Sequence, residues 1–131
     1  MMQFAGNGVV TVRLVPGSDR KSLFIRLQVA NGWHVNSHAP LEDYLVATKL
    51  DIAGSKAANP ATVSYPEPET KKLAFNEKPM ALLENQVEIT ARFDEAITGP
   101  VEAQLQIQAC SEEICLLPET LKLRFAMPPA S

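Results

Sequence analysis

An all-β, antiparallel β-sandwich is the fold class that the sequence predicts, and three observations carry the prediction. Several short stretches alternate strictly between apolar and polar residues, ten prolines are spread from Pro16 to Pro129, and turn signals separate the alternating runs. Alternation of period two buries one face of a strand and leaves the other to solvent. Each proline removes a backbone donor and resists a helix interior, so few windows between them can hold a long helix. Short strands at this spacing are the pattern of a sandwich.

The elements follow in chain order. Val9 to Val15 is a first strand candidate, closed by the turn signal Pro16-Gly17-Ser18-Asp19. Leu23, Ile25, Leu27 and Val29 then share one face, with Phe24, Arg26 and Gln28 on the other, before Asn31-Gly32 turns the chain. Lys49 to Ile52 is a shorter candidate ahead of Asn59-Pro60. The segment Lys78 to Asn85 has the length of a loop or a strand lead-in, although one helical turn behind Pro79 is an alternative. Val87, Ile89, Ala91 and Phe93 alternate with Glu88, Thr90 and Arg92, and Thr98-Gly99-Pro100 follows as a turn. The most regular stretch sets Val101, Ala103, Leu105, Ile107 and Ala109 against Glu102, Gln104, Gln106, Gln108 and Cys110. Leu121, Leu123 and Phe125, alternating with Lys122 and Arg124, close the series.

Composition bounds the function. With 131 residues, 46% apolar and 21% charged, the chain reads as one soluble globular domain over 1–131, with 126–131 as a proline-rich linker. Such a chain buries roughly two-thirds of its unfolded surface. Twelve lysines and arginines against 15 acidic residues give a net charge of -3, with no basic excess to neutralise phosphates, so nucleic acid is not an expected partner. No run approaches the roughly 18 apolar residues of a membrane span, and the start lacks a basic segment followed by an apolar one. Both ends read as the ragged ends of an excised domain, so a signal or membrane segment of the parent chain is expected to lie outside this sequence.

Two cysteines are too few for a disulfide scaffold or an all-cysteine zinc site. Cys110 falls on the glutamine and glutamate phase of its strand, which predicts a sulfur pointing away from the core. Ser111-Glu112-Glu113-Ile114 suits the loop of a hairpin whose second strand is Leu121 to Phe125, and Cys115 then comes within reach of Cys110, at a Cβ separation of about 4 Å. Two readings of that pair stay open. As a staple, so short a ring stabilises by only about 2 kcal/mol. As an exchangeable bridge at a hairpin end, it is accessible to an attacking thiolate. Glu112 and Glu113 disfavour a neighbouring thiolate, so such a dithiol stays quiet until a partner changes its surroundings.

Other chemistries find less support. His34 and His38 with Cys110 and Cys115 supply the ligand types of a zinc site, but the histidines flank a loop sequence in an order reversed from that of a zinc finger, and no metal is expected. A blue-copper site needs a histidine downstream of its cysteine, and none follows His38. Trp33 reads as a core aromatic. Gly6-Asn7-Gly8 precedes a strand and not a helix, which does not suit a phosphate loop, and no serine–histidine–acid order stands in a convincing context.

The segment QACSEEICLLPET from Gln108 to Thr120 resembles the active hairpin of the N-terminal periplasmic domain of the thiol:disulfide interchange protein DsbD and the related disulfide bond corrector family. The likeness extends to Asn31–Ile52, to Tyr65-Pro66-Glu67-Pro68 and to Leu83–Phe93, and so to most of the chain after Ser22. It implies an immunoglobulin-like sandwich in an extracytoplasmic compartment. Such a domain takes electrons from a membrane-embedded partner domain and hands them to periplasmic thioredoxin-fold proteins, without a cofactor. It also implies that Cys115 forms the mixed disulfide with partners and that Cys110 closes the internal bridge. The stretch corresponding to that family's cap loop is Glu67 to Phe75, with Phe75 as the shield and Glu67, Glu69 and His34 as modulating residues. The family's acidic-aromatic cap motif is absent as such, and the cysteine spacing is one residue shorter. The alternative from another class is a non-catalytic immunoglobulin-like binding domain with a structural hairpin disulfide.

Overall fold

Where the alternation is longest, it becomes burial. In a computed structural model that describes residues 2–41, 45–53, 62–72, 80–98 and 100–125, the runs around Leu23, Val87 and Val101 are all strands with their apolar phase inward. The strands are β1 (Met2–Ala5), β2 (Val10–Pro16), β3 (Ser22–Val29), β4 (Trp33–Asn36), β5 (Lys49–Ala53) and β6 (Thr62–Ser64). They continue as β7 (Glu69–Lys71), β8 (Met80–Leu83), β9 (Gln86–Arg92), β10 (Val101–Ile107), β11 (Ala109–Ser111) and β12 (Glu119–Phe125). The helical content among the described residues is one 3-10 turn, Gly6–Gly8.

Three antiparallel sheets result, in the orders β1-β2-β3-β9-β6, β12-β10-β5 and β11-β4-β8-β7. Register follows from the apolar faces, because a slip of one residue would turn every core side chain to solvent. Ile25 therefore lies between Leu14 of β2 and Ile89 of β9, and Leu27 between Val12 and Val87. These six side chains join Leu50, Val101, Leu105, Ile107 and Leu123 from the facing strands in one core. Each fully buried leucine or isoleucine contributes about 1.5–3 kcal/mol relative to exposure. The all-β sandwich expected from the sequence is the architecture observed.

Several segments differ from expectation, among them Thr62–Ser64 and, inside the stretch assigned to a cap loop, Glu69–Lys71, both of which are strands. Met2–Ala5, read as part of a ragged end, is an ordered edge strand on β2. Met80–Leu83, within the segment left between loop, strand lead-in and helical turn, is a strand with all four side chains buried. Leu83 enters the main core while Met80 and Leu82 form a second cluster with Leu45, so this strand is covered on both faces and shows no alternation. Trp33–Asn36 is likewise a strand, with a turn behind it: the Trp33 N–H donates to the Ala30 carbonyl at 3.0 Å. Gly32 sits in that turn at φ 85°, a conformation that glycine adopts without steric cost. The linker at 126–131 and the turn signal at Asn59-Pro60 lie outside the described residues.

What positions the cysteines is the hairpin of β10 and β12. β10 and β12 pair over seven residues, from Val101↔Phe125 to Ile107↔Glu119, with β5 on the other side of β10. At Gln108 the chain leaves this sheet, and β11 pairs instead with the edge of β4. The hairpin end thus bridges two sheets.

Candidate functional site at the cysteine hairpin

The local hydrogen bonds explain why the two sulfurs meet. The Ser111 N–H donates to the Ile114 carbonyl at 2.7 Å, and the Leu116 N–H donates to the Ala109 carbonyl at 2.8 Å. Between these rungs Cys110 and Cys115 face each other as a non-hydrogen-bonded pair, the kind in which side chains approach most closely. Their Cα atoms are 4.0 Å apart and the sulfurs are bonded. The Ser111 hydroxyl oxygen accepts from the N–H groups of Glu113, at 3.1 Å, and Ile114, at 3.2 Å, which fixes the turn with Glu112 and Glu113 exposed at its tip.

Gln108 fixes the base of the arm. Its Oε1 accepts from Asn36 Nδ2 and from the Val46 N–H, both at 3.0 Å, and its Nε2 donates to the Leu116 carbonyl at 3.3 Å. One amide thereby ties the hairpin to β4 and to the segment before β5. Two residues earlier, Gln106 Nε2 donates to the Ala47 carbonyl at 3.0 Å. Gly6 sits close against the same base at φ 59°, where an added Cβ would come within 3.2 Å of the Ala109 Cβ. Its N–H donates to the Glu119 carboxylate at 2.5 Å.

These contacts correct one expectation. Cys110 does occupy the polar phase of its strand, but its sulfur does not face solvent: the residue is 0% exposed. Along that phase Glu102 and Gln104 are exposed, Gln106 and Gln108 are half-buried, and Cys110 is fully covered. On one side of Cys110 lies His34 of β4 and on the other Cys115, while Gln106 and Gln108 bond the Ala47 carbonyl and the Val46 N–H along the same phase of the strand. Cys115, on the outer arm, stays half-exposed. It is flanked by Ile114, 55% exposed, and Leu117, 86% exposed.

The other candidate residues are distributed unevenly. His34 lies directly opposite Cys110 in the β4–β11 ladder, so Cys115, Cys110 and His34 form one cross-strand row. His34 is itself buried, and its Nε2 has no hydrogen-bond partner among the described residues. Burial holds its pKa below the ordinary 6.5, against the pull of Glu84, while Lys71 adds to the lowering. Glu84 is held below the ordinary carboxylate value mainly by the Lys71 ammonium, which donates to it at 2.5 Å. His38 stacks on Tyr65 with ring centroids 4.6 Å apart. Trp33 is half-buried and packs against the main core. Among the described residues no three His, Cys, Asp or Glu side chains are grouped to hold a metal ion.

Glu67 is exposed, and Glu69 lies on β7 with its carboxylate 3.6 Å from Lys71 Nζ. Because the sheet order is β11-β4-β8-β7, strand pairing leaves Glu69 three strands from the hairpin, about 14 Å at ordinary strand spacing. Phe75 lies outside the described residues. Sequence reading missed Gln108 and Ser111. A serine just before a two-residue polar turn is a recognisable signal for the second, whereas nothing distinguishes Gln108 from Gln104 on the same phase.

Comparison with known proteins decides the family. A family model described as thiol:disulfide interchange protein DsbD, N-terminal, matches residues 8–126. The chain belongs to this family. Among solved structures, the reduced DsbD N-terminal domain of Neisseria meningitidis superposes with a TM-score of 0.70 at 12% identity, covering 96% of this chain and 91% of that one. The same organism's DsbD N-terminal domain in complex with the PilB N-terminal domain gives 0.67 at 12% identity, with coverages of 92% and 85%. The N-terminal periplasmic domain of ScsB from Proteus mirabilis gives 0.63 at 15% identity, covering 95% of this chain and 49% of that one, so this chain spans about half of the ScsB chain. No curated protein matches the sequence. At these identities the structural likeness speaks for the immunoglobulin-like fold alone, and membership of the family rests on the match over residues 8–126.

Proposed function

We propose that the domain is a thiol–disulfide oxidoreductase module that relays electrons through the Cys110–Cys115 pair, from a membrane-embedded dithiol partner to periplasmic thioredoxin-fold proteins. The observation that carries this reading is the asymmetry of the pair: Cys110 is fully buried, whereas Cys115 is half-exposed between two exposed apolar side chains. An incoming thiolate has access to one sulfur and not to the other, which agrees with the roles that the family resemblance implies.

In the first half-reaction a partner thiolate attacks Cys115 Sγ, the Cys110–Cys115 bond breaks, and Cys110 leaves as a thiolate that takes up a proton. The partner's second thiol then displaces Cys115, leaving a partner disulfide and the reduced domain. In the second half-reaction the Cys115 thiolate attacks the disulfide of a downstream protein, and Cys110 displaces that protein from Cys115 to restore the bridge. Two electrons move in each half and no cofactor takes part. The solved complex of a DsbD N-terminal domain with the PilB N-terminal domain supports a protein partner, and the ScsB domain's periplasmic description supports the compartment.

The test uses both single variants with a reduced dithiol donor and an oxidised thioredoxin-fold acceptor. Cys115→Ala abolishes transfer, and Cys110→Ala accumulates a mixed disulfide visible on a non-reducing gel. Normal transfer by both variants, with nothing trapped, sinks the proposal. A glutathione titration separates it from a binding domain with an inert staple, because a structural bridge resists reduction below about -300 mV and an exchanging one titrates above that.

A further inference from the structure

The row formed by Cys115, Cys110 and His34 carries a consequence that the exchange steps leave open, namely where the proton of the buried thiol goes. We propose that His34 Nε2 is the proton acceptor for Cys110 when Cys110 closes the bridge and expels the partner. This inference rests on the exchange reading above.

Four observations support it. First, Cys110 is 0% exposed, and a thiol without water around it resists ionisation, yet only the thiolate attacks. A group beside it must accept the proton. Second, register sets His34 directly across from Cys110, and opposed side chains in an antiparallel pair share a face, with Cβ atoms about 4.5–5.5 Å apart. Third, the ring has a buried nitrogen to offer: His34 Nε2 has no hydrogen-bond partner among the described residues. With the ring proton on Nδ1, Nε2 presents a bare lone pair. Fourth, burial keeps the imidazole neutral at pH 7, which is the form of a base.

The orphaned lone pair also has a reason. A disulfide has no S–H to donate, so in the oxidised domain nothing at Cys110 can satisfy Nε2. Reduction creates that donor. An unsatisfied buried acceptor is costly, so gaining its partner favours the reduced form. The charged groups around the ring act in opposite directions: Glu84 and Glu112 favour a proton on it and Lys71 disfavours one, while Lys71 is itself paired with Glu69.

The step balances. The Cys110 S–H proton passes to His34 Nε2, the sulfur's electron pair attacks Cys115 Sγ of the mixed disulfide, and the Cys115–partner S–S bond breaks. The partner leaves as a thiolate and is protonated, while the imidazolium returns its proton to solvent. Cys110 and Cys115 are oxidised to cystine and the partner sulfur is reduced.

The experiment treats the reduced domain with the chromogenic disulfide 5,5′-dithiobis(2-nitrobenzoate) in a stopped-flow instrument. One equivalent of thionitrobenzoate is released when Cys115 attacks, and a second when Cys110 closes the bridge. His34→Asn keeps a polar side chain without a basic nitrogen, and His34→Phe removes the polar group as well; native near-ultraviolet circular dichroism qualifies each variant. In both, the second phase slows by about 100-fold at pH 7, the lower end of general-base effects. It then rises about tenfold per pH unit, as expected of uncatalysed thiol ionisation, while the first phase stays within twofold. The equilibrium constant for reduction by glutathione falls about tenfold, or about 30 mV for two electrons. A second phase with parental rate and pH profile in a folded variant overturns the role of His34 and leaves the exchange reading intact. If the parent's Cys115 releases no first equivalent, both readings fall.

Discussion

The β10–β12 ladder and the cysteine arm that continues it are built from the same hairpin but held by different physics. In the ladder, seven consecutive residue pairs bury alternate side chains such as Ala103, Leu105 and Leu123, and stability comes from periodic apolar burial. In the arm, three residues pair with β4, and order comes from individual polar groups: the Gln108 amide, the Ser111 hydroxyl and two backbone rungs. A ladder of the first kind opens only when the whole sandwich does. An arm of the second kind can open by itself, which is what an exchanging disulfide needs.

Removing apolar volume from the ladder tests the first half of this contrast. Leu105→Ala, at a fully buried core position, should cost about 2–5 kcal/mol in urea unfolding. Below the transition, the rate at which dithiothreitol reduces Cys110–Cys115 should remain within twofold of the parent. A large rise in that rate under native conditions would mean that ladder and arm open together.

Removing the tie between the two regions gives a smaller loss of stability and a larger change in reactivity. Gln108→Ala leaves Asn36 Nδ2 and the Val46 N–H without their shared acceptor, which should cost about 1–3 kcal/mol. If that cost falls on local opening, a loss of 1.4 kcal/mol raises the open population tenfold, and reduction of the disulfide accelerates by about the same factor. Global destabilisation with no gain in reduction rate would show that Gln108 belongs to the scaffold and not to the arm.

The same contrast explains what the sequence disclosed. β3, β9, β10 and β12 were legible because each presents one face to the core and one to solvent, so period two is visible in the letters. β8 was not, because Met80 and Leu82 bury on one side and Leu83 on the other. The cysteine pair was legible from hairpin spacing and family likeness. The burial of Cys110 was not, because it depends on distant contacts: β11 docks on β4, and glutamines indistinguishable from surface ones bond the Val46–Ala47 segment beside this end of the strand. The pairing of His34 with Cys110 is likewise a matter of register between distant strands, and no local pattern encodes it.

The smallest expected effect concerns the histidine in the arm and isolates its burial from everything else that titrates. His34 has a pKa below the ordinary 6.5, chiefly from burial, so between the folded and unfolded values the unfolded chain binds more protons. Stability therefore rises with pH through that window. The contribution is fully present above about pH 7 and is lost as pH falls through 6.5 toward the folded value. Glu84, whose carboxyl is also held down, acts in the same direction but in a lower window, beneath its ordinary 4.5. Urea midpoints measured from pH 7.5 to 5.5 should thus fall for the parent and stay flatter for His34→Phe, and the difference between the two curves should vanish above pH 7. If the curves run parallel throughout, His34 is as free to protonate in the folded domain as in the unfolded chain, and the arm is more open to water than its packing indicates.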